Sequence, residues 1–327
     1  FEQVLRADLT EGLPIHSAPL MRLTLVRSKE EGTRLIWTHH HLQIDGWSWP
    51  VLLAHVSQAY RVLAKGENFE APATKSIRDV LRWSQRQDGT AAQEFWSGQL
   101  KGFARPTALF SSRSKSTHSF GEVSAVLGSD LARALEALAR DLACPLNALV
   151  QAAWSLVISE RSGQEEVVFG ASFSGRPAEL PGVENIVGAF VNNLPVRANL
   201  AEGGSFAKLA KTLHAQAVAL AEHQFLPLME IHQLSEVPLR WRLFDSLVVF
   251  QNYAIAEDAL QWGDGLKVED FTAPVRTNYP LTVVVQPGAD DLAVDLVFEK
   301  GRFDDTTAGA LLEGLVTLLQ RAVQSPK

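Results

Sequence analysis

Between residues 18 and 41 the chain alternates apolar and polar residues twice, in "APLMRLTLVR" (18–27) and "TRLIWTHHH" (33–41), around the polar turn "SKEEG". Side chains that alternate with period two fall on opposite faces of a strand, so each segment reads as half-buried and the pair as a hairpin. After Gly46 the period changes. "SWPVLLAHVSQAYRVLAKG" carries apolar residues at helical spacing and stops at Gly66, a helix C-terminal signal. A switch from period two to period 3.6 over so short a stretch requires helix packed against sheet, and the switch recurs along the chain.

A helical region is expected over 77–100, broken near Gly89, followed by the polar, proline-containing "KGFARPTALFSSRSKSTHS" (101–119), read as a connection between two lobes. Then come strand-like "EVSAVLG", the amphipathic helix "DLARALEALAR" (130–140), and a second helix, "PLNALVQAAWSLVISERSG", leading into the apolar strand "EVVFGASFSGR". Later strands are expected in "FDSLVVFQNY", "PLTVVVQPG" and "LAVDLVFEKGRF". "DDTTAGALLEGLVTLLQRAVQ" closes the chain as a helix, with Asp304 or Asp305 near its N-terminus. The order points to the α/β class.

Composition excludes several functions. Of 327 residues 46% are hydrophobic and 20% charged, an ordinary globular balance. The formal net charge of −7 gives no overall basic footprint for nucleic acid. A single cysteine, Cys144, excludes an intrachain disulfide, fits a reducing cytoplasm, and reads as a small buried thiol and not a nucleophile. No apolar run is long enough for a bilayer, and no secretory signal is visible. The chain begins at Phe1 within what already reads as structure, as an excised piece of something longer would.

"WTHHHLQIDGWSW" (37–49) is the chemical candidate. If the strand continues through the histidines, His39 and His41 share one face and His40 takes the other, with Asp45 and Gly46 marking the strand end. An imidazole there can accept or relay a proton, and Gly46 would allow close backbone approach to a substrate. Two other readings stand beside it: ordinary structural histidines, and a zinc site from His39, His41 and Asp45, which has no third-ligand motif or cysteine cluster behind it.

The residues also carry a resemblance. "HHLQIDG" (40–46) followed by "WS" is similar to the HHxxxDG signature of condensation domains of nonribosomal peptide synthetases. HxxxD alone is shared with other acyltransferases, including the chloramphenicol acetyltransferase type. "FGASFSGRPAELPGVENIVGAFVNNLPVR" (169–197) resembles the linked SGRP and floor-loop GxFVN signatures, and "HQFLPLMEI" (223–231), "LFDSLVVFQNY" and "TNYPLTVVV" resemble further ones in the right order. The match runs from about Gly12 to Leu319.

That resemblance implies two chloramphenicol acetyltransferase-like α/β sandwich lobes in a V shape. Residues 1–102 would be a partial N-terminal lobe carrying the motif, lacking its first part, and 103–327 the C-terminal lobe. It implies an acyltransferase that joins a carrier-bound acyl or peptidyl thioester to the amine of a carrier-bound aminoacyl acceptor. Substrates arrive on phosphopantetheine arms of donor and acceptor carrier proteins, beside adenylation or polyketide synthase modules. No intrinsic cofactor, metal, nucleic acid or membrane is implied.

The resemblance assigns catalysis to His41 and support to His40, which would point away. It pairs Asp45 with an arginine of the second lobe, best matched by Arg176, so that a His–Asp dyad is not expected. Gly46 is part of the same support. Gly188, Phe190 and Asn192 would belong to the floor loop below the tunnel, and Asn252 in "FQNY" would lie near the pocket. His39, Trp47 and Trp49 are expected to pack. An ester-forming variant using a hydroxyl acceptor, and a noncatalytic carrier-protein docking module, are the alternatives. The intact histidines argue against the second, and also against heterocyclisation.

Overall fold

The computed structural model describes residues 1–325 other than 30–31, 111–118, 202, 254, 264, 270 and 274. The chain opens with α1 (Glu2–Glu11), the strands β1 (Met21–Ser28) and β2 (Gly32–His39), and helices α2 (Ser48–Leu63), α3 (Ile77–Ser84) and α4 (Gly89–Leu100). Then follow β3 (Phe120–Leu127), α5 (Ser129–Leu142), α6 (Leu146–Ser162), β4 (Glu166–Phe173), β5 (Asn192–Asn199), α7 (Phe206–Ala221) and α8 (Leu228–Gln233). The last part holds β6 (Ser246–Phe250), α9 (Glu257–Leu260), β7 (Gln261–Gly263), β8 (Leu266–Lys267), β9 (Leu281–Pro287), β10 (Leu292–Glu299) and α10 (Asp305–Gln324).

Contacts divide the chain into two units, neither contiguous in sequence. The first comprises Phe1–Gln85, Arg176–Val191 and Tyr253–Asp270, and the second Arg86–Gly175, Asn192–Asn252 and Phe271–Lys327. This division falls at Gln85, whereas the sequence suggested a boundary at 102. The reason is α4: Asp88 caps it, accepting from the backbone N–H groups of Thr90 and Ala91, and it buries Trp96 and Leu100 among Val168, Leu194 and Leu220 of the second unit. The break expected near Gly89 is therefore a change of unit. Part of the connection read at 101–119 lies outside the described residues.

In the first unit β1 and β2 form the expected antiparallel hairpin, with Met21 opposite His39 and Arg22 opposite Thr38. That cross-strand pair anchors α1. Buried Asp8 accepts from Arg22 Nε at 2.7 Å and from the Thr38 hydroxyl, and the Arg22 hydrogen bond holds its carboxyl below the usual range. Beyond α2, the capping box of Ser76 and Asp79 starts α3, whose Val80 packs on Val183 and Ile186.

The second unit is built on a six-stranded mixed sheet among the described residues, in the order β3-β10-β9-β6-β4-β5. β4 and β6 and likewise β6 and β9 run parallel, and the remaining neighbours antiparallel. Both faces are covered. Val167, Phe169 and Ala171 face a core shared with α5, α6, α7 and α10, and Val168 faces one shared with α4 and α8. This explains why "VVFGA" is continuously apolar and does not alternate. Cys144 is buried, and burial pushes its thiol pKa up. Asp304 caps α10 by accepting from the Thr307 N–H at 2.7 Å. Among the described residues no single helix is long and apolar enough to cross a membrane.

Candidate active site

The three histidines occupy three environments. β2 ends at His39, so strand alternation does not extend to His41 as the sequence suggested. The cause is local. His40 still donates its N–H to the Leu20 carbonyl, but its Nδ1 accepts the Leu42 N–H at 3.1 Å and its own carbonyl accepts from Gln43. A side chain that offers the backbone an acceptor competes with the ladder and turns the chain. An accepting Nδ1 also requires the imidazole proton on Nε2.

His39 is wedged between two indoles. Its ring centroid lies 6.4 Å from that of Trp37 and 4.9 Å from that of Trp49, both edge-on. Burial, and then the neighbouring His41, lower its pKa, so it is a neutral packing residue. His41 itself is exposed at the start of the turn, and among the described residues no hydrogen bond or ion pair occupies its imidazole.

Asp45 ends the turn and is fully buried. Oδ2 accepts from Arg176 Nη1 at 2.9 Å and from the Phe190 N–H at 3.0 Å. Oδ1 accepts from Arg176 Nη2 at 3.2 Å and from the Ser48 N–H at 3.1 Å. The pair is bidentate, with the Arg176 side chain only 6% exposed. Arg176 Nη2 also donates to the Ile186 carbonyl at 3.1 Å, and the Phe190 ring lies 4.5 Å from the guanidinium carbon. With Arg176, Ser48 and Phe190 on its oxygens, Asp45 is committed to the scaffold and to neither a histidine dyad nor a metal. Arg176 reaches it from within the first unit, since 176–191 folds back onto α2 and α3; the sequence had placed this arginine in the other lobe.

Ser48, not foreseen as part of the site, binds the same segment. Its hydroxyl lies 3.1 Å from Asp45 Oδ1 and 3.0 Å from the Gly188 carbonyl, and it accepts the Gly188 N–H at 3.1 Å. The Gly188 carbonyl also accepts from the Asp45 N–H. A side chain at 188 would stand 2.9 Å from the Phe190 ring, so the glycine leaves room for the aromatic cover on Arg176. Ser48 sits where a helix-start serine is expected, but nothing in the sequence marks its bond to a residue 140 positions away.

Gly46 departs from expectation. Close approach does occur there, but the neighbour is Tyr253: a Cβ would stand 2.6 Å from the ring. The same ring meets Trp47 edge-on, with centroids 6.0 Å apart. Of the other residues singled out, Asn192 Nδ2 donates to the carbonyls of Gln224 and Leu226, both at 2.9 Å, within the second unit, and Asn252 is exposed there.

The condensation-domain family model matches residues 1–327, the whole chain. This chain belongs to the condensation-domain family. It is 37% identical over 330 residues to a linear gramicidin synthase of Brevibacillus parabrevis, covering 100% of this chain and 4% of that protein. Among solved structures, the X-domain from teicoplanin biosynthesis superposes with a TM-score of 0.82 at 22% identity, covering 99% of this chain and 77% of that one. The first condensation domain of the calcium-dependent antibiotic synthetase, in complex with a substrate analogue, gives 0.75 at 18%, covering 99% and 72%. These neighbours establish the fold.

Two outcomes follow for the condensation domain. Asp45→Ala leaves a buried guanidinium without its partner and is expected to destabilise the domain by about 3–5 kcal/mol in chemical denaturation. A variant that unfolds like wild type yet loses turnover would instead place Asp45 in the chemistry. Burial and the Asp45 carboxylate push the Tyr253 phenol up to about 12. A raised native pKa stabilises the protonated fold, and that stability is lost as pH rises from about 10 towards 12. The tyrosinate difference spectrum of wild type minus Tyr253→Phe should therefore have its midpoint near 12, and a midpoint near 10 would contradict the burial.

Proposed function

We propose that this condensation domain forms an amide between a carrier-bound acyl or peptidyl thioester and the amine of a carrier-bound aminoacyl acceptor, with His41 as the group at the reacting atoms. The observation that carries this reading is the contrast within one short turn. His39 is packed, His40 holds a backbone N–H, and Asp45 is tied to Arg176, while His41 alone presents an imidazole with no partner among the described residues. A turn anchored at both ends fixes where that imidazole starts without occupying its nitrogens.

The chemistry asks for such a group. A free α-amine has a pKa of about 7.7–8.0, so at neutral pH most of it is protonated and not nucleophilic. The neutral amine attacks the thioester carbonyl carbon, the C–N bond forms, and the carbonyl oxygen takes the charge of a tetrahedral intermediate. The intermediate collapses by breaking the C–S bond. His41 takes the proton leaving nitrogen and returns one to the departing thiolate, giving an amide and a free phosphopantetheine thiol. Holding two tethered substrates end to end supplies a further large share of the rate. No intrinsic cofactor is needed for the step, because activation has already been spent in making the thioester.

The relatives support the substrate class through their names, which are those of peptide synthetases; this chain spans 4% of the linear gramicidin synthase it matches. The partners proposed are accordingly a donor and an acceptor carrier domain with their phosphopantetheine arms. An assay in the intact synthetase module, with defined donor- and acceptor-loaded carrier domains, tests the assignment. Wild type is expected to release amide product, and His41→Ala to lose at least about a hundredfold in rate, as removal of a general base does. Equal product from both would remove His41 from the mechanism, and product from a hydroxyl acceptor but not an amine would make the domain an ester-former.

A further inference from the structure

Glycine at 46 is not explained by its backbone, because its φ lies outside the positive range that favours glycine. It is explained by space. An ideal Cβ at 46 would stand 2.6 Å from Tyr253 Cε1, 2.7 Å from Cζ and 2.9 Å from the hydroxyl oxygen, well inside any real contact. The ring therefore rests directly on the glycine backbone. The residues on either side of Gly46 meet the same tyrosine: Trp47 edge-on, and Asp45 through the charge that, after burial, helps to keep the phenol protonated.

Tyr253 is the first residue of a strap, 253–270, that is fixed to α2 further along. The Ser57 hydroxyl lies 2.9 Å from the Gln261 carbonyl, Tyr60 and Trp262 have ring centroids 5.8 Å apart, and Arg61 packs on Gly263. The turn that carries His41 is thus held from two directions. Arg176 grips it through the Asp45 carboxylate, and Tyr253 presses on the next residue.

We propose that Tyr253 is a positioning residue for His41: its ring sets the end of the turn at Gly46, and position 46 must be glycine because of the tyrosine and not because of a substrate. The catalytic consequence rests on the role of His41 given above; the contact itself does not. Tyr253 needs only its ring for this task, so phenylalanine should serve in its place.

The test is a double-mutant cycle in the intact synthetase module. Gly46→Ala and Tyr253→Ala should each lower kcat by about tenfold, with the acceptor KM within about twofold of wild type, because a small misplacement of a catalytic group acts on rate more than on binding. The double variant should be no slower than either single one, since a methyl group at 46 has nothing to strike once the ring is gone. Tyr253→Phe should keep the wild-type rate. Multiplying losses in the double variant, or a wild-type rate for Tyr253→Ala, would overturn the proposal.

A second readout is independent of turnover. The His41 imidazole 1H–13C resonance, identified by its loss in His41→Gln, should move in Tyr253→Ala and stay in place in Tyr253→Phe. An unmoved resonance in Tyr253→Ala would also overturn the proposal. If wild type and His41→Ala make equal product, the role of His41 fails, while the resonance still decides whether Tyr253 sets the turn.

Discussion

A carboxylate with no solvent exposure, gripped by two nitrogens of one arginine, organises the first unit. Burying both charges is costly unless the geometry is good and the remaining lone pairs are filled. Here they are filled, by backbone N–H groups of Ser48 and Phe190 and by the Ser48 hydroxyl. Each partner belongs to a different part of the chain: the turn after β2, the first turn of α2, and the returning segment 176–191. The ion pair therefore contributes less as net stability than as a specification of which backbone groups must meet. Gly188 and Phe190 then close around it, one by lacking a side chain and the other by covering the guanidinium.

The histidines divide their work as a result. Three adjacent imidazoles would disfavour charge on one another in water, and the fold removes two of them from competition. His39 sits among aromatic rings and is held neutral, and His40 is occupied as a backbone acceptor. That leaves His41 exposed, on a turn whose far end cannot drift because Asp45 is fixed. The sequence signature is thus one reactive position with its mounting, and the mounting takes up most of its letters.

Local features are legible in the sequence. The hairpin, the stop of α2 near Gly66, the separation of α3 from α4 and the cap of α10 all follow from periodicity and side-chain chemistry within a few residues. The end of β2 does not, because a histidine ring replaces the ladder partner there, an effect that strand alternation does not contain. The two compact units escape a sequence reading for a different reason. Segments 176–191 and 253–270 return to the first unit through contacts such as Arg176 with Asp45, 131 residues apart, and no local pattern encodes a separation of that size. Only the resemblance of "SGRP" and "HHLQIDG" to a known pair of motifs singles out those two residues. Tyr253 has no such marker: an aromatic residue after "FQN" looks like any strand-end residue until its ring is found on Gly46.

Amide hydrogen exchange at Ser48, Gly188 and Phe190 tests most directly whether one ion pair organises this region. Their N–H groups end on Asp45, on the Ser48 hydroxyl and on Asp45 again, so they belong to one cooperative cluster. Wild type should protect all three to a similar degree, and Arg176→Gln should release all three together while β1–β2 hairpin amides keep their protection. Independent exchange of the three in wild type, or unchanged protection in Arg176→Gln, would show that the region is held by something other than the Asp45–Arg176 pair.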